Sequence, residues 1–525
     1  MTYRKSRRRS ISLLMAAAAV SALATSSSCS GETLSDALAA VYEGNPTLNA
    51  ERASLRATDE ELAQAQAGYR PDVSVNADYG VQTLSTSPAP LVFKSGAIPS
   101  PAQEAANKAS LQRSDGLTNP TGYNVVLNQP LFRGFRVANA VREADARILA
   151  EREKLRSLEQ RTFLDTVRAY MDVLRDSAIV NLRIGNLKLL TSEVAANEAR
   201  FAAGEMTRTD VAQARARQAE AQAALDLAKA SLRISLAAYE RLVGHVPTRL
   251  TDPGPFERKL PATLEEAIAV AQSENPDVVA AAYLERALGH EVDKIEGELL
   301  PEVRLQAVHN ERFETSPLID RQMSQSVVAR VSIPIYQSGD VESRARQAKQ
   351  RRQGSLEQIE AAREQAKADA ISAWSQLQAT RAASLAVRLQ VQASHESVLG
   401  VREELKAGQR TVLDVLNAEK DEIDARVSAV RARHDLVIAS FSLLQAMGRL
   451  TASELDVPVA LYDTQRHYDE VNGKWTGLKI EGEAPNEPPL RGWLSSVETA
   501  PPDSPAAAFA PGAYAQKEQP TVPLR

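Results

Sequence analysis

The sequence predicts a mainly α-helical chain with a smaller β-sheet portion, built as a tandem duplication of long helical hairpins. Three observations predict this fold class. The segment TLSDALAAVYEGNP at residues 33–46 returns as TLEEAIAVAQSENP at residues 263–276, which is the mark of an internal repeat. Two long stretches, 136–200 and 340–406, have helical periodicity and no proline. Each is preceded by segments in which apolar and polar residues alternate, as they do in strands.

The amino terminus has the features of a secretory signal peptide. Basic residues precede the apolar run 11–24, which is too short to span a bilayer as a helix and ends in small residues. We predict a signal peptide over residues 1–24, or up to residue 28, with a membrane anchor as the alternative. Cys29 would carry a lipid if the exported chain were acylated, although Ser26 stands where a lipoprotein signal normally has leucine. Removing the five basic residues of the signal lowers the formal net charge from −5 to −10.

The composition excludes several classes of function. The 62 basic and 67 acidic residues leave no basic stripe, so nucleic acid is not expected as a partner. A single cysteine excludes a disulfide framework and any Cys-rich metal site. The six histidines are scattered, and neither a Gly-rich phosphate loop nor a Gly-x-Ser-x-Gly motif occurs. We therefore expect neither an enzyme nor a bound cofactor or metal ion.

The first copy of the repeat is predicted over residues 32–245 and the second over residues 262–450. Each begins with helix, continues with two strands and ends with long helices. The offset between equivalent residues falls from 230 before the second strand to 204 after it, so the first copy contains an insertion of 26 residues. The insertion lies in a segment rich in Ser, Pro, Ala and Gly, which predicts a mobile loop over residues 83–120. The predicted strands are 71–82, 121–132, 301–312 and 325–336.

Alternation gives each predicted strand an apolar face and a polar face. The polar face carries Asp78, Arg304 and Arg330. Such strands suit either a soluble sheet on a core, or a barrel with lipid outside and water inside. Four strands cannot close a barrel alone, so the second interpretation requires an oligomer. After residue 30 no apolar stretch approaches 18 residues.

The long helical stretches explain the remaining length of the chain. About 65 residues at ~1.5 Å per residue give a helix of roughly 100 Å. Gly204 and Gly408 end the two long helices, and each is followed by a polar segment that opens a returning helix. Helices without bulky apolar faces must pack as coiled coils. An extended cytoskeletal coiled coil would explain these helices but neither the strands nor the signal peptide.

These features together resemble the TolC family of outer-membrane channel proteins. The resemblance rests on the duplicated plan, on the strand-to-helix corners QPLFRG at 129–134 and IPIYQSG at 333–339, and on the turns AGEMTRTDV at 203–211 and AGQRTVLDVL at 407–416. It covers about residues 32–452. It implies a homotrimer in which three chains of four strands form one twelve-stranded outer-membrane β-barrel, continuous with a periplasmic α-helical barrel.

The resemblance also implies a gate at the periplasmic end of the channel. Thr209 and Asp210 of the first copy, and Arg410 and Asp414 of the second, match positions whose polar links hold the family's tunnel closed. Asn417 stands where family members can have a second acid, so the expected carboxylate ring is halved. Three copies of Asp414 around an axis would still favour cations. The alternative is that Arg410 and Asp414 form an ordinary surface pair worth ~0.3 to 0.5 kcal/mol.

The resemblance assigns further roles by position. Gly204, Thr207, Gly408 and Thr411 would form tips that dock a periplasmic membrane-fusion adaptor, with simple helix capping as the alternative or additional role. Asp78, Arg304 and Arg330 would face the barrel lumen. An inner-membrane ABC transporter or proton-driven pump would supply the energy. Residues 455–480 would form an equatorial segment, and the Pro/Ala-rich residues 481–525 a disordered tail.

The resulting functional prediction is an export duct of the outer membrane that extends into the periplasm. Residues 462–477 resemble family members of the secretion-associated type, which favours type I protein secretion. The alternative is the outer-membrane component of a tripartite multidrug or solvent efflux pump. A periplasmic adaptor, a helical structural protein and a secreted hydrolase are more remote alternatives.

Overall fold

The structure is a computed structural model that describes residues 31–86, 100–110, 114–254, 259–316 and 319–478. The predicted signal peptide (1–24 or 1–28), Cys29 and the predicted tail 481–525 lie outside the described residues. The described part contains ten α-helices, one 3₁₀ turn and six strands. Within it, no helix combines the length and apolar character needed to cross a membrane.

The helices of the two copies correspond one to one, which confirms the tandem duplication. Their lengths agree within one residue in every pair. In chain order they are α1 (Leu34–Gly44), α2 (Pro46–Ala67), α3 (Pro101–Ser110), α4 (Arg136–Ala202), α5 (Arg208–Val243), α6 (Leu264–Glu274), α7 (Pro276–Glu296), α8 (Asp340–Lys406), α9 (Val412–Ala446) and α10 (Arg466–Val471). The pairs are α1 with α6, α2 with α7, α4 with α8 and α5 with α9, whereas α3 belongs to the insertion.

The repeated segment TL…NP forms the same pair of helices in both copies because its polar residues cap them. Thr33 and Thr263 begin α1 and α6, and the side chain of each accepts a hydrogen bond from the backbone three residues later. Asn45 ends α1 and also begins α2, where proline occupies the first helical position. Asn275 does the same between α6 and α7.

The strands form one four-stranded antiparallel sheet and one two-stranded sheet. The strands are β1 (Asp72–Tyr79), β2 (Gln82–Thr86), β3 (Ser114–Thr118), β4 (Thr121–Arg133), β5 (Glu302–Ser316) and β6 (Ile319–Ser332). The larger sheet has the order β1-β4-β5-β6, and β2 pairs only with β3. Among the described residues, its two outer strands, β1 and β6, each have one unpaired edge.

Two predictions for this region are wrong in part. The segment 83–120 was expected to be a loop, but it contains the end of β2, the helix α3 and strand β3. Thr83 of β2 pairs with Leu117 of β3, so the two ends of the insertion form an antiparallel pair of strands. These strands are too short for alternation of apolar and polar residues to predict them. The predicted strand 325–336 ends at Ser332, because Pro334 has no backbone N–H with which to continue the ladder.

The apolar core lies where α1, α4, α5 and α9 meet. Phe163 and Tyr170 of α4 and Tyr239 of α5 are fully buried there, together with Leu443 and Leu444 of α9. The hydroxyl group of Tyr170 donates to the backbone carbonyl oxygen of residue 32 at 2.9 Å, so this core also anchors the amino-terminal segment. Elsewhere the residues buried between helices are mostly alanine and valine, whose small side chains suit the close helix packing of a coiled coil.

The segment after α9 packs against the first copy. The guanidinium group of Arg52 on α2 lies over the rings of Tyr42 and Tyr462, 4.5 and 5.1 Å from their centroids. The hydroxyl group of Tyr468 in α10 donates to Asp145 of α4 at 2.9 Å. Residues 474–478 belong to a second unit and form neither helix nor strand.

Candidate functional site

Both helical hairpins end in the same glycine turn. Gly204 follows α4 with a φ of +81°, and Gly408 follows α8 with a φ of +75°. This left-handed conformation strains residues that carry a side chain, which explains glycine at both turns. A Cβ atom at either position would meet no other atom within 4 Å, so the constraint comes from the backbone and not from crowding.

The residue three positions after each glycine caps the returning helix. The side chain of Thr207 accepts from the backbone N–H of Asp210, and the Asp210 carboxylate accepts from the backbone N–H of Thr207 at 3.1 Å. Thr411 and Asp414 form the same capping box, with a 2.9 Å bond from the Thr411 N–H. Hydrogen bonds from the Thr411 backbone and hydroxyl lower the pKa of Asp414. Thr209 is exposed beside the first box.

The alternative of an ordinary surface ion pair between Arg410 and Asp414 is wrong. Its guanidinium Nε lies 2.8 Å from the carboxylate of Glu404, which precedes the turn. The Asp414 carboxylate is instead held by the cap at Thr411, because two donors at a helix amino terminus are closer and better aligned than a flexible side chain. Arg410 and Asp414 are therefore neighbours without an ion pair between them.

Polar contacts between the two copies lie beyond the tips, on the facing surfaces of α4, α5 and α9. Three pairs make this interhelical ladder. They are Arg217 Nη2 with Asn417 Oδ1 at 2.9 Å, Lys420 Nζ with Glu220 Oε1 at 3.0 Å, and Arg183 Nη2 with Asp424 Oδ1 at 3.3 Å. Of the six residues in these pairs, the sequence pointed only to Asn417.

The constant offset between the two copies could have predicted two of these pairs. Equivalent residues of α5 and α9 are 204 positions apart. Arg217 contacts Asn417 and Glu220 contacts Lys420, and both pairs are 200 positions apart. In both pairs, the residue on α5 contacts the α9 residue that lies four positions, about one helical turn, before the equivalent position of the second copy. Two parallel helices with that stagger place complementary side chains next to each other.

A buried carboxylate lies beside the ladder. Glu419 of α9 is 4% exposed and contacts the guanidinium group of Arg402 on α8 at 2.5 Å. Burial raises the pKa of Glu419, although the hydrogen bond and positive charge of Arg402 act to lower it. This pair joins the two helices of the second hairpin just above its tip, so the tip is held to its own hairpin as well as to the first copy.

The residues predicted for the barrel lumen share one face of the sheet. Arg304 lies directly opposite Arg330. Asp78 lies opposite Gly122, which in turn lies opposite Arg312. Since Gly122 has no side chain, Arg312 reaches across it, and its Nη2 atom lies 3.6 Å from Asp78 Oδ1.

The opposite face of the sheet is mostly apolar, with the ion pair of Arg321 and Glu311 toward its far end. Within the described residues, no core covers this face. Five of its side chains are between 59% and 75% exposed, namely Val73, Val75, Tyr79, Val327 and Val331. The alternative of a soluble sheet packed on its own core is therefore wrong for this chain. An exposed apolar surface of this kind requires another apolar medium or partner.

Comparison with known proteins identifies the family. A family model described as outer membrane efflux protein matches residues 37–245 and 267–449. The chain belongs to the outer membrane efflux protein family. It is accordingly an outer-membrane export duct that extends into the periplasm, and not an enzyme. Channels of this family are homotrimers that pair with adaptors and inner-membrane transporters.

Individual relatives agree with this membership. The outer membrane efflux protein BepC of Brucella suis is 37% identical over 450 residues, which cover 85% of this chain and 92% of BepC. The alkaline protease secretion protein AprF of Pseudomonas aeruginosa is 26% identical over 242 residues, covering 43% of this chain and 48% of AprF. The CmeC outer membrane channel of Campylobacter jejuni has the same fold, with a TM-score of 0.68 at 13% identity over 83% of this chain and 89% of that structure. The predicted fold class is confirmed.

Proposed function

We propose that three copies of this outer membrane efflux protein close their four-stranded sheets into one twelve-stranded barrel. The observation that carries the proposal is the sheet order β1-β4-β5-β6, which leaves one unpaired edge on each side. Pairing β6 of one chain with β1 of the next satisfies both edges and repeats around a threefold axis. The exposed apolar face then lies against lipid, and the face with Asp78, Arg304 and Arg330 lines the lumen.

The glycine turns and capping boxes form the periplasmic tips of the same assembly. Gly204 and Thr207 form one tip, and Gly408 and Thr411 form the other. We assign them to the docking of a periplasmic membrane-fusion adaptor, because rigid and exposed turns can be bound without an ordering cost. The interhelical ladder, which includes Asn417, would hold the tunnel closed by linking the second hairpin to the first.

The duct is proposed to serve type I protein secretion with an inner-membrane ABC transporter. Similarity to AprF, an alkaline protease secretion protein, supports this assignment. The second candidate is efflux with a proton-driven pump. It is supported by BepC, an outer membrane efflux protein that matches a larger share of the chain at higher identity.

Cross-linking from the tip separates these candidates. Cys29 is replaced by Ser, and a cysteine is introduced as Glu205→Cys, an exposed turn residue outside the capping box. Glu240→Cys, exposed at the far end of α5, is the matched control. A short bifunctional reagent is added to cells, and the captured proteins are identified by mass spectrometry. We expect an adaptor to be captured from residue 205 only.

The transporter captured with the adaptor then decides the substrate route. An ABC transporter supports protein secretion, and a proton-driven pump supports efflux instead. Capture of the same proteins from residues 205 and 240 would contradict docking at the tips. Absence of the chain from the trimeric outer-membrane fraction would contradict the assembly itself.

A further inference from the structure

Two arginines of the sheet lie directly opposite each other on neighbouring strands. Arg304 of β5 and Arg330 of β6 form a cross-strand pair, so their Cβ atoms are about 5 Å apart on one face. Like charges in this arrangement destabilise a sheet. An anion that contacts both guanidinium groups would remove that penalty. The pair therefore has the electrostatics of a binding site for an acid.

The surrounding residues neutralise this pair only in part. The Glu302 carboxylate lies 3.2 Å from Arg304, but it also contacts Arg133 at 3.6 Å and Arg136 at 3.2 Å. Three arginines thus share one carboxylate. The side chain of Arg330 has no hydrogen-bond or ion-pair partner within the part of the chain that the structure describes. One guanidinium group of the pair is consequently available to a ligand.

The charge balance at this end of the sheet is positive. Asp72 is the other acid on this half of the polar face, and it lies on the edge strand β1 opposite Asn128. Among the strand residues at this end, the three arginines at positions 133, 304 and 330 outnumber the acids at positions 72 and 302 by one. Farther along the same face, Arg312 is paired with Asp78, so the excess is confined to the end where the sheet meets the long helices.

We propose that the Arg304–Arg330 pair binds carboxylate groups and that, in the trimer, six such arginines form an acid-selective ring in the duct. The inference rests on the proposed trimeric duct and specifies its substrate class as acidic polypeptides. A guanidinium group donates two parallel hydrogen bonds to a carboxylate. A ring of such groups in a water-filled lumen favours anions over cations. A polypeptide rich in Asp and Glu would bind several members of the ring in turn as it passes.

Peptide binding to the purified full-length trimer in detergent tests the ring. The probe is fluorescein-labelled hexaglutamate, measured by fluorescence anisotropy at low salt. We expect the double variant Arg304→Gln/Arg330→Gln to bind it about tenfold more weakly or worse, because charged hydrogen bonds are lost. The control Arg304→Lys/Arg330→Lys keeps the charge but not the planar donor pair, so its affinity should lie between the other two. Free glutamate should compete poorly with hexaglutamate, because its two carboxylates cannot contact several arginine pairs of the ring at once.

Ion selectivity supplies a second measurement. In planar bilayers with a KCl gradient, the reversal potential of the Gln variant should shift toward the value for potassium, whereas the Lys variant should match the natural chain. Equal hexaglutamate affinity in the natural chain and the Gln variant would overturn the proposal, as would equally tight binding of hexalysine. Failure of the natural chain to form trimers would instead contradict the proposed function, and cross-linking of the same preparations detects it.

Discussion

The Nε2 atom of His434 on α9 lies 2.8 Å from Oδ1 of Asp172 on α4, which joins the second copy of the repeat to the first. Its Nδ1 atom lies 2.8 Å from the carboxylate of Asp435, and Arg175 approaches Nε2 at 3.3 Å. His434 is only 8% exposed. Burial opposes protonation of His434, but the hydrogen bonds from its ring to Asp172 and Asp435 outweigh burial, so its pKa is raised.

The stability of the helical part should therefore depend on pH. A group whose pKa is raised in the folded state contributes its full stabilisation below its unfolded pKa, about 6.5 for histidine. That contribution is lost as the pH rises through the higher folded pKa. We expect the thermal unfolding temperature, followed by circular dichroism, to fall as the pH rises above about 6.5. The variant His434→Gln should be less stable at pH 6 by about 1 to 2 kcal/mol and should lose this dependence.

An exposed histidine on the second hairpin serves as the control. His395 of α8 contacts Glu422 at 2.8 Å, but its side chain is 52% exposed. A pair in water contributes little, so His395→Gln should leave the pH profile of the natural chain in place. An identical pH profile in the natural chain and in His434→Gln would show that the link to Asp172 carries no pH dependence.

The comparison of sequence and structure shows what patterns along the chain can predict. Periodicity and capping act within one segment, which is why the ends of α8 at Asp340 and Lys406 match the prediction without change. The cap at Thr411 is equally local. Contacts between distant segments depend on how far one helix is displaced along another. His434 and Asp172 are 262 residues apart, and no periodicity relates them.

The residues predicted for the gate show that side-chain contacts can be mispredicted even between neighbours in the sequence. The sequence places Arg410 one helical turn before Asp414, which suggests a pair. The structure shows that Asp414 belongs to the capping box and that Arg410 pairs with Glu404 across the turn. Spacing along an ideal helix does not apply here, because residue 410 precedes the first residue of α9. The assignment of a gate to these residues stays a prediction.

The capping boxes should stabilise the first turns of the returning helices. Thr411→Ala removes the side-chain acceptor for the Asp414 N–H and should cost about 1 kcal/mol. Hydrogen exchange of a peptide covering 409–416, measured by mass spectrometry, should become about fivefold faster. Thr207→Ala should have the same effect at α5. Thr209→Ala, one residue past the start of α5, is the control and should exchange at the natural rate, so a similar increase there would contradict a specific role for the cap.

The glycine turns should tolerate no β-branched residue. Gly408 has a φ of +75°, and a valine in that conformation is strained. We expect Gly408→Val to distort the tip and abolish export while trimers still form, because no atom lies within 4 Å to transmit the distortion to the rest of the chain. Gly204→Val should behave in the same way. Export assays and cross-linking of trimers in the same cells report the two properties separately.

A glycine in a helix provides the control for these variants. Gly400 lies within α8 and also has no atom within 4 Å of the site of a Cβ. Gly400→Ala should stabilise the helix by about 0.5 to 1 kcal/mol and leave export intact. Loss of trimers in Gly408→Val would mean that the turn has a structural role only.

Asn417 offers the sharpest test of the interhelical ladder as a gate. Its side-chain oxygen accepts from Arg217 of α5 at 2.9 Å. Asn417→Asp turns this neutral acceptor into a carboxylate at the same position, so the link between the hairpins becomes an ion pair and should strengthen by about 0.2 to 1 kcal/mol. If this link holds the tunnel closed, the open probability in planar bilayers should fall by up to about fivefold. Raising the salt concentration should reverse part of the effect, since it screens an exposed ion pair.

The second variant of this cycle removes the partner. Arg217→Gln alone should raise the open probability, because the shorter side chain lacks the charged guanidinium group that donates to Asn417. The double variant Arg217→Gln/Asn417→Asp should be open at least as often as Arg217→Gln. The difference between the effect of Asn417→Asp with and without Arg217 is the coupling between the two residues. Equal effects in both backgrounds would mean that the new carboxylate acts through the charge of the tunnel mouth and not through the link to α5. The reversal potential would then shift toward potassium by the same amount in both backgrounds.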